Sequence, residues 1–161
     1  MTVDVVAVGI SFGRWGELLQ LIRQSFAYMD GLINPPSSAL TLTVESLEQK
    51  AGDEIGFVAL RSKRLVGCIF CRPEPPGCLY IGKFAVSPEE QGKGIGRLLM
   101  SRAENLARAL GYAKLRLETR IELTGNHQRF AAMGFHRIAE GCHPGFDRTT
   151  FIEMRKRVSW A

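Results

Sequence analysis

The stretch SPEEQGKGIGRLLMSRAENLARALG, residues 87–111, decides the fold. Its second half predicts an amphipathic helix beginning near Gly94, because apolar residues recur every three or four positions on one face. These are Ile95, Leu98, Leu99, Ala103, Leu106 and Leu110, and Gly111 is placed to end the helix. Just before the helix, residues 92–96 contain three glycines. Each lowers helix stability by up to about 1 kcal/mol relative to alanine, so this composition needs an explanation.

A bound phosphate group would explain the glycines. A helix N-terminus presents unpaired N–H groups and the positive end of the helix dipole, and missing side chains let a phosphate approach the backbone. Lys93 and Arg97 add positive charge at the same place. The alternative is that the glycines only permit a tight turn from strand to helix. Three glycines together with two cations favour the phosphate interpretation.

Other phosphate-binding motifs fit this stretch less well. A Walker loop, G-x-x-x-x-G-K-S/T, is absent, and a dinucleotide fingerprint, G-x-G-x-x-G, would follow its strand directly. Here the spacing is G-x-G-x-G, and residues 87–90 intervene. These four residues match an S-x-x-E capping box with proline at the first helical position, which predicts a single helical turn. Because Glu118 ends the next predicted strand, where a ribose-binding acid would lie, a nucleotide-binding oxidoreductase stays an alternative.

Outside this stretch, hydrophobic periodicity and turn residues predict several strands and helices. We expect strands at residues 3–10, 55–60, 65–70, 78–86, 112–119, 135–139 and 149–155, and helices at 14–29, 43–51 and 124–133. Loops are expected at 31–38 and 73–77, and a turn at 52–53. No repeat or linker divides the chain, so we expect one domain over residues 1–161.

The composition excludes several classes of protein. Of the 161 residues, 45% are hydrophobic and 23% are charged. No apolar run approaches the ~20 residues of a membrane-spanning helix. The first ten residues contain Asp4 and no basic residue, so they predict a strand rather than a signal peptide. We therefore expect a cytoplasmic protein without a membrane partner.

Charge and cysteine content narrow the partners further. The net charge of +5 suits a polyanionic small ligand, and also weak contact with nucleic acid. Apart from 155–157 the basic residues are spread out, and no nucleic-acid-binding motif is present, so no nucleic-acid partner is expected. Cys68 and Cys71 form a C-x-x-C pair without a second pair, and in a strand they would point to opposite faces. We expect buried thiols and no metal.

The central stretch resembles the GNAT superfamily of acetyl-CoA-dependent N-acyltransferases. The strand FAVSP, residues 84–88, followed by Gln91-x-x-Gly94-x-Gly96 and an amphipathic helix, is similar to the family signature Gln/Arg-x-x-Gly-x-Gly/Ala. Segments 117–120 and 133–135 resemble the family's next strand and its turn into the sixth strand. The resemblance is good over residues 78–139 and rests only on element order before residue 55. It implies an α/β (α+β) fold with a mixed, mostly antiparallel sheet of about six to seven strands flanked by helices.

The resemblance also implies acetyl-CoA as cosubstrate and assigns residues to it. Backbone N–H groups would hold the coenzyme's pyrophosphate at Gln91, Gly92, Lys93, Gly94, Ile95, Gly96 and Arg97. The main chain of Phe84, Ala85 and Val86 would pair with pantetheine as an added strand. The N–H of Val86 would stabilise the oxyanion of the reaction. In the family this strand carries a bulge that splays it from the next, and Gly82 could accommodate one.

The chain departs from the family pattern at two positions. The family's usual tyrosine, the proposed acid for the leaving thiolate, falls on Phe130, and its usual asparagine falls on Leu123. Asn126, one helical turn later, is our candidate for the coenzyme contact. Phe130 has no proton to give, so protonation of the thiolate would come from water or another residue, or not be required.

Three residues are candidates for proton transfer. His143 lies in the loop before the last strand, which in this family often borders the acceptor site, and an imidazole titrates in the useful range. The alternative is a solvated loop histidine. Glu118 could act through water, or only pair with Arg116 or Arg120. Tyr80 lies on the coenzyme-binding strand, where it could also only pack.

These observations predict an N-acetyltransferase that moves an acetyl group from acetyl-CoA to a primary amine by direct attack in a ternary complex. The acceptor, a small molecule or a peptide amine, is not identified. The basic surface slightly favours neutral or acidic acceptors over polycations. A coenzyme-binding module without transferase activity is an alternative because of Phe130, and a homodimer is compatible with the sequence.

Overall fold

The structure, a computed structural model, describes residues 2–9 and 11–159, and within them the chain forms seven strands and four α-helices. The strands are β1 (Asp4–Ala7), β2 (Ile55–Arg61), β3 (Arg64–Glu74), β4 (Cys78–Val86), β5 (Lys114–Arg120), β6 (His136–Gly141) and β7 (Phe151–Arg157). The helices are α1 (Trp15–Phe26), α2 (Val44–Asp53), α3 (Ile95–Leu110) and α4 (Thr124–Ala132). The first predicted strand, 3–10, is shorter than expected, and its last residue lies outside the described residues.

One sheet joins the strands in the order β1-β2-β3-β4-β5-β7-β6. Every neighbouring pair is antiparallel except β4 and β5. This arrangement confirms the predicted mixed, mostly antiparallel sheet. The parallel contact is short, because it pairs residues 78–80 of β4 with residues 114–116 of β5 and goes no further. In the part of the chain that the structure describes, β4 therefore has no strand partner on its β5 side from Ile81 to Val86.

A β-bulge lies in β4 where the two strands part. Gly82 is opposite Phe70 and Ala85 is opposite Cys68, so the register shifts by one residue between them. Lys83 has a φ of 43°, as an inserted bulge residue can have. The expected bulge is thus present, but the residue with positive φ is Lys83 rather than Gly82. Because a bulge bends a strand and increases its twist, it directs the end of β4 away from β5.

Helices pack on both faces of the sheet. On one face α3 contributes Leu99 and Ala103 to a core with Ile69 and Leu115, and on the other α1 contributes Leu18 to a core with Val58. The periodicity of α3 was only partly predictive, since Leu98 and Leu110 are 45% and 41% exposed instead of buried. The buried stripe of this helix is narrower and consists of Ile95, Leu99, Met100, Ala103 and Ala107.

The C-x-x-C pair behaves as predicted. Cys68 and Cys71 are both free and buried, and they belong to the cores on opposite faces of the sheet. Burial raises the pKa of each thiol to about 12, so both stay protonated and unreactive near neutral pH.

Several predicted helix and strand ends shift by one to three residues, and two segments predicted as loop or turn are wrong. β3 continues through Pro73 to Glu74, where a loop was expected. Its pairing with β2 ends at Cys71, so the missing N–H of Pro73 lies beyond the last ladder bond to that strand. Residues 52–53, expected to form a turn, are the last residues of α2, whose start is fixed by a capping box between Thr43 and Ser46.

Candidate functional site

The segment from Gln91 to Arg97, which we call the glycine corner, connects β4 to α3. The chain enters it through one turn of 3₁₀ helix, Pro88–Glu90, which confirms the predicted single turn. Gly92 and Gly94 have φ values of 79° and 85°, a backbone conformation that glycine adopts without the strain a side chain would add. The path of the backbone therefore requires two of the three glycines.

The third glycine serves a different purpose. A Cβ atom at Gly96 would lie 3.3 Å from Cζ of Phe84, tighter than ordinary contact. Gly96 thus lets the first turn of α3 approach the end of β4. At Gly92 and Gly94, by contrast, an added Cβ would meet nothing within 4 Å. The outer side of the corner is open.

The corner presents unpaired backbone amides to this open side. The first hydrogen bond of α3 runs from the Leu98 N–H to the Gly94 carbonyl at 3.1 Å. The N–H groups of Ile95, Gly96 and Arg97 precede that bond, and none of them has an acceptor among residues 2–9 and 11–159. Amides of this kind at the positive end of a helix dipole can bind an anion.

Only one of the two predicted cations is unpaired. Lys93 Nζ lies 3.2 Å from a carboxylate oxygen of Glu90. That carboxylate is 6% exposed and also accepts a 2.7 Å hydrogen bond from Arg61. Arg97 is exposed and has no ion pair within the described segments. Among the described residues, Arg97 is therefore the free cation of the corner, and Lys93 shares its charge with Glu90.

Glu90 has a role that sequence reasoning missed. The capping box expected at residues 87–90 is absent, because the Ser87 side chain makes no cap bond. The Ser87 N–H donates instead to the Val66 carbonyl on β3 at 2.8 Å. Glu90 instead forms ion pairs with Arg61 on β2 and with Lys93 in the glycine corner, and so connects the corner to β2. The S-x-x-E spacing indicated the helical turn correctly but the partner of the glutamate wrongly.

The unpaired edge of β4 meets the glycine corner at Val86. Successive amides of a strand point to opposite sides. Since the Ser87 N–H points to β3, the N–H of Val86 faces the side where β5 has diverged. The Gln91 side chain donates to the Val86 carbonyl at 3.3 Å and so links the corner to this edge.

The residues that α4 contributes are packed or bonded. The Phe130 ring lies between those of Phe84 and Phe135, at centroid distances of 6.1 and 5.9 Å. The position that the resemblance assigns to a tyrosine is therefore part of an aromatic cluster. Asn126 donates to the Tyr28 hydroxyl at 3.1 Å and accepts from Arg129 at 3.0 Å, so its amide is already engaged.

A cluster of charges, which we call the charged face, covers the sheet surface opposite α3 around Arg116. Its guanidinium bonds three carboxylates, those of Glu74 at 2.9 Å, Glu118 at 3.0 Å and Glu153 at 2.9 Å. Hydrogen bonds from Arg116 outweigh burial and hold the pKa of Glu74 below its usual range. Of the two roles predicted for Glu118, the pairing with Arg116 is present.

Tyr80 lies within the charged face. Its ring is held between the guanidinium groups of Arg72 and Arg116, each with its central carbon 4.5 Å from the ring centroid. Burial raises the pKa of the Tyr80 hydroxyl, which therefore stays protonated at neutral pH. In this state the hydroxyl can donate a proton or a hydrogen bond but cannot act as a base.

His143 is fixed against β7 rather than freely solvated. Its backbone N–H donates to Thr150 Oγ1 at 2.9 Å, and its Nδ1 lies 2.5 Å from the same oxygen. The His143 and Phe151 rings also pack edge to face, with their centroids 5.5 Å apart. Burial and the nearby Arg120 cation lower the pKa of His143, so its imidazole is neutral at pH 7.

Two further cations, Lys83 and Arg120, were missed by sequence reasoning. Lys83 Nζ donates to Ser38 Oγ at 2.6 Å, while Arg120 donates to the carbonyls of Pro35 and Pro36 at 2.6 and 3.2 Å. We call these two residues the cation pair. They lie on the diverging strands β4 and β5, and one loop holds both. No spacing in the sequence links these segments, so no local signal could have found them.

The described residues show neither a metal cluster nor a membrane span. In residues 2–9 and 11–159, no three His, Cys, Asp or Glu side chains are grouped to hold a metal ion. Over the same ranges, each helix is too short or too polar to cross a bilayer.

Comparison with known proteins identifies the family. A model described as the acetyltransferase (GNAT) family matches residues 17–135, well over half of the chain. A search of curated proteins finds no match.

Solved structures share the fold at low sequence identity. PaiA N-acetyltransferase from Thermoplasma acidophilum, in complex with coenzyme A, superposes with a TM-score of 0.80 at 18% identity, over 98% of this chain and 99% of that one. The ribosomal-protein-S18-alanine N-acetyltransferase from Escherichia coli gives 0.74 at 17% identity, over 99% and 96% of the two chains. An aminoglycoside 6'-N-acetyltransferase complexed with coenzyme A gives 0.76 at 14% identity, over 98% of each chain.

Proposed function

The chain belongs to the GNAT family of acetyltransferases, and we propose that it transfers an acetyl group from acetyl-CoA to a primary amine by direct attack in a ternary complex. One observation carries the proposal: the unpaired edge of β4 and the unpaired amides of the glycine corner meet at Val86. A ligand in which a diphosphate is joined to a chain with amide groups matches both surfaces.

The proposed coenzyme site follows from these two surfaces. The amides of the glycine corner, from Gln91 through Gly92, Lys93, Gly94, Ile95 and Gly96 to Arg97, hold the pyrophosphate, and the exposed Arg97 guanidinium adds charge. The main chain of Phe84, Ala85 and Val86 pairs with pantetheine in place of the missing β5 partner. Asn126 is a weaker candidate for a coenzyme contact, since its amide already bonds Tyr28 and Arg129.

The proposed reaction needs few side chains. The acceptor amine attacks the thioester carbonyl carbon, and the oxyanion that forms accepts a hydrogen bond from the Val86 N–H. The C–S bond then breaks, coenzyme A leaves as a thiolate, and the new amide nitrogen loses its extra proton to a base. Holding both reactants at one site supplies a large part of the acceleration.

His143 is the proposed base. With the proton on Nδ1, donated to Thr150 Oγ1, the free lone pair lies on Nε2, and the lowered pKa keeps it available at neutral pH. Glu118 and Tyr80 stay as further candidates, the first through water and the second as a proton donor. Phe130 cannot protonate the thiolate, so that proton comes from water or from another group.

The proposal also covers the acceptor, the cellular location and the oligomeric state. We propose a single acyltransferase domain over residues 1–161 that works in the cytoplasm on a small-molecule or peptide amine. Nucleic-acid and membrane partners are not expected, and a homodimer stays a prediction.

A free-thiol release assay with acetyl-CoA and a broad panel of amines tests the proposed function. We expect thiol release that depends on the amine, with the matching N-acetyl product identified by mass spectrometry. A protein that acetyl-CoA stabilises against heat, but that releases no thiol with any amine, would be the coenzyme-binding module that Phe130 suggests. A thermal shift with NAD(P)H and none with acetyl-CoA would contradict both and favour the oxidoreductase.

A further inference from the structure

The cation pair, Lys83 and Arg120, contacts uncharged oxygens rather than carboxylates. Neither residue has a carboxylate within ion-pair distance in the described parts of the chain. The nearby acids are already engaged, since Glu54 bonds Lys50 at 2.7 Å and Glu122 lies 3.7 Å from Arg148. The pair instead donates to uncharged oxygens of the loop at residues 35–38.

This arrangement is electrostatically unfavourable without a ligand. Both side chains are half-buried, and burial lowers the pKa of each. The charges of Lys50 and Arg120 lower the pKa of Lys83 further, whereas the charge of Glu54 raises it. A partly desolvated cation gains from a counter-ion, because hydroxyl and carbonyl oxygens replace only part of its hydration.

We propose that Lys83 and Arg120 bind an anionic group of the acceptor, so that the acceptor is a small amine that also carries a carboxylate or a phosphate. This inference rests on the proposed function, because it assigns the acceptor class for the same site. Arginine binds either anion with a planar pair of donors, and lysine binds it as a point charge.

The position of the pair fits a small acceptor. Lys83 precedes Val86 by three residues, which in an extended strand span about 10 Å at most. Arg120, the last residue of β5, donates to the same loop that Lys83 contacts, and its charge lowers the pKa of His143. An acceptor anchored between the two cations would therefore place its amine near the proposed thioester site and the proposed base.

Matched amines test the inference through turnover. The probes are β-alanine, its neutral amide β-alaninamide, and phosphoethanolamine, each with acetyl-CoA. We expect the anionic amines to exceed the amide in kcat/KM by about tenfold or more, as one charge-assisted interaction provides. Comparing the carboxylate with the phosphate identifies which anion the site takes. Equal or better turnover of β-alaninamide would overturn the inference while leaving the acetyltransferase proposal intact.

Variants of Lys83 and Arg120 test whether these two residues cause the preference for anionic amines. Lys83→Gln and Arg120→Gln should each raise KM for the preferred anionic amine about tenfold, with KM for β-alaninamide and the affinity for coenzyme A unchanged. Lys114→Gln, an exposed lysine on β5, is the matched control and should change none of these. Equal effects on charged and neutral amines, or none, would contradict the assignment. Thermal unfolding detects a variant that does not fold. Because two positions are substituted, the other variant still tests the assignment.

A binding measurement keeps the inference testable even without turnover. In the presence of coenzyme A, calorimetry should show that the protein binds N-acetyl-β-alanine more tightly than the corresponding amide. Lys83→Gln should remove this difference in affinity. Absence of any difference in the wild-type protein would contradict the inference. Acetylation of Lys83 itself on incubation with acetyl-CoA, detected by peptide mass spectrometry, would also contradict it, because Lys83 would then be an acceptor rather than an anion-binding residue.

Discussion

The glycine corner and the charged face use the same strand in opposite ways. At the end of β4, the corner offers backbone amides and open space, and its main requirements are glycines and one packed contact with Phe84. Near the start of β4, beside Tyr80, the charged face consists of long side chains from β3, β5 and β7 that neutralise one another around Arg116. The first region leaves polar groups free for a ligand, and the second pairs its charges with one another.

Substitutions in the two regions should therefore have different effects. Changes in the corner should act on coenzyme binding with little effect on stability beyond local strain. Changes in the charged face should act first on stability, because they leave charges without partners, and on acceptor turnover second.

The largest expected effect is at Gly94. Gly94→Glu places a carboxylate where we propose the phosphates bind, so the affinity for coenzyme A should fall about 100-fold or more by calorimetry. Gly111→Glu is the matched control, because Gly111 ends the same helix with a φ of 76° and equally open space. Both variants should lose similar stability from left-handed backbone strain of about 1–2 kcal/mol. Equal coenzyme affinity in the two variants would remove the corner from the site.

A comparison at Tyr80 tests the charged face. Arg116→Met and Arg72→Met each remove one guanidinium from the Tyr80 ring, but only the first leaves three carboxylates facing one another. We expect Arg116→Met to lower the free energy of unfolding by about 3 kcal/mol and Arg72→Met, 49% exposed, by at most about 1 kcal/mol. Chemical denaturation measures both.

The pH dependence of that loss follows from Glu74. The pKa of Glu74 in the folded protein lies below the ordinary 4.5. Its ion pair with Arg116 therefore stabilises the fold above about pH 4.5, and this stabilisation is lost as the pH falls through the pKa of the folded state. The difference between wild type and Arg116→Met should therefore narrow below pH 4.5. A difference that does not change with pH would show that packing, not charge, causes the loss.

Substitution of His143 tests its proposed role as the base. His143→Ala should lower kcat about 100-fold, the loss typical of a general base, with unchanged affinity for coenzyme A. Because the pKa of His143 is lowered, the wild-type rate should decline with falling pH only below 6.5, and the variant should lack this decline. His136→Ala, an exposed histidine on β6, is the control. An unaltered rate in His143→Ala would exclude it as the base.

The smallest predicted effect is at Thr150, a positioning residue. Thr150→Val removes the hydroxyl that bonds the His143 backbone N–H and Nδ1, and loss of the bond to the ring should lower kcat about fivefold, the worth of one such bond. Thr150→Ser should restore the rate and the pH profile. If both variants behave alike, the Thr150 hydroxyl does not orient the imidazole.

The two regions also differ in how far the sequence predicts them. The corner is local, so seven consecutive residues and the helix after them indicate its geometry, including the single turn before it. The charged face joins Arg116 to Glu74 and Glu153, which are 42 and 37 residues away in the chain. Lys83 and Ser38 are 45 residues apart. Such contacts depend on strand order and register, which periodicity alone does not specify.

Errors of the sequence analysis have the same origin. The S-x-x-E motif predicted a local bond for Glu90, but Arg61 on β2 offers a buried charged partner. Leu98 fits the helical period but lies outside the stripe that the sheet covers. In both cases a tertiary contact outweighs the local pattern.

Titration of ¹⁵N-glycine-labelled protein with coenzyme A tests the central claim most directly, because it observes the proposed binding groups themselves. Our account predicts large amide shifts for Gly92, Gly94 and Gly96, with Gly111, at the far end of α3, unchanged. Saturable binding that leaves those three amides unmoved would contradict it.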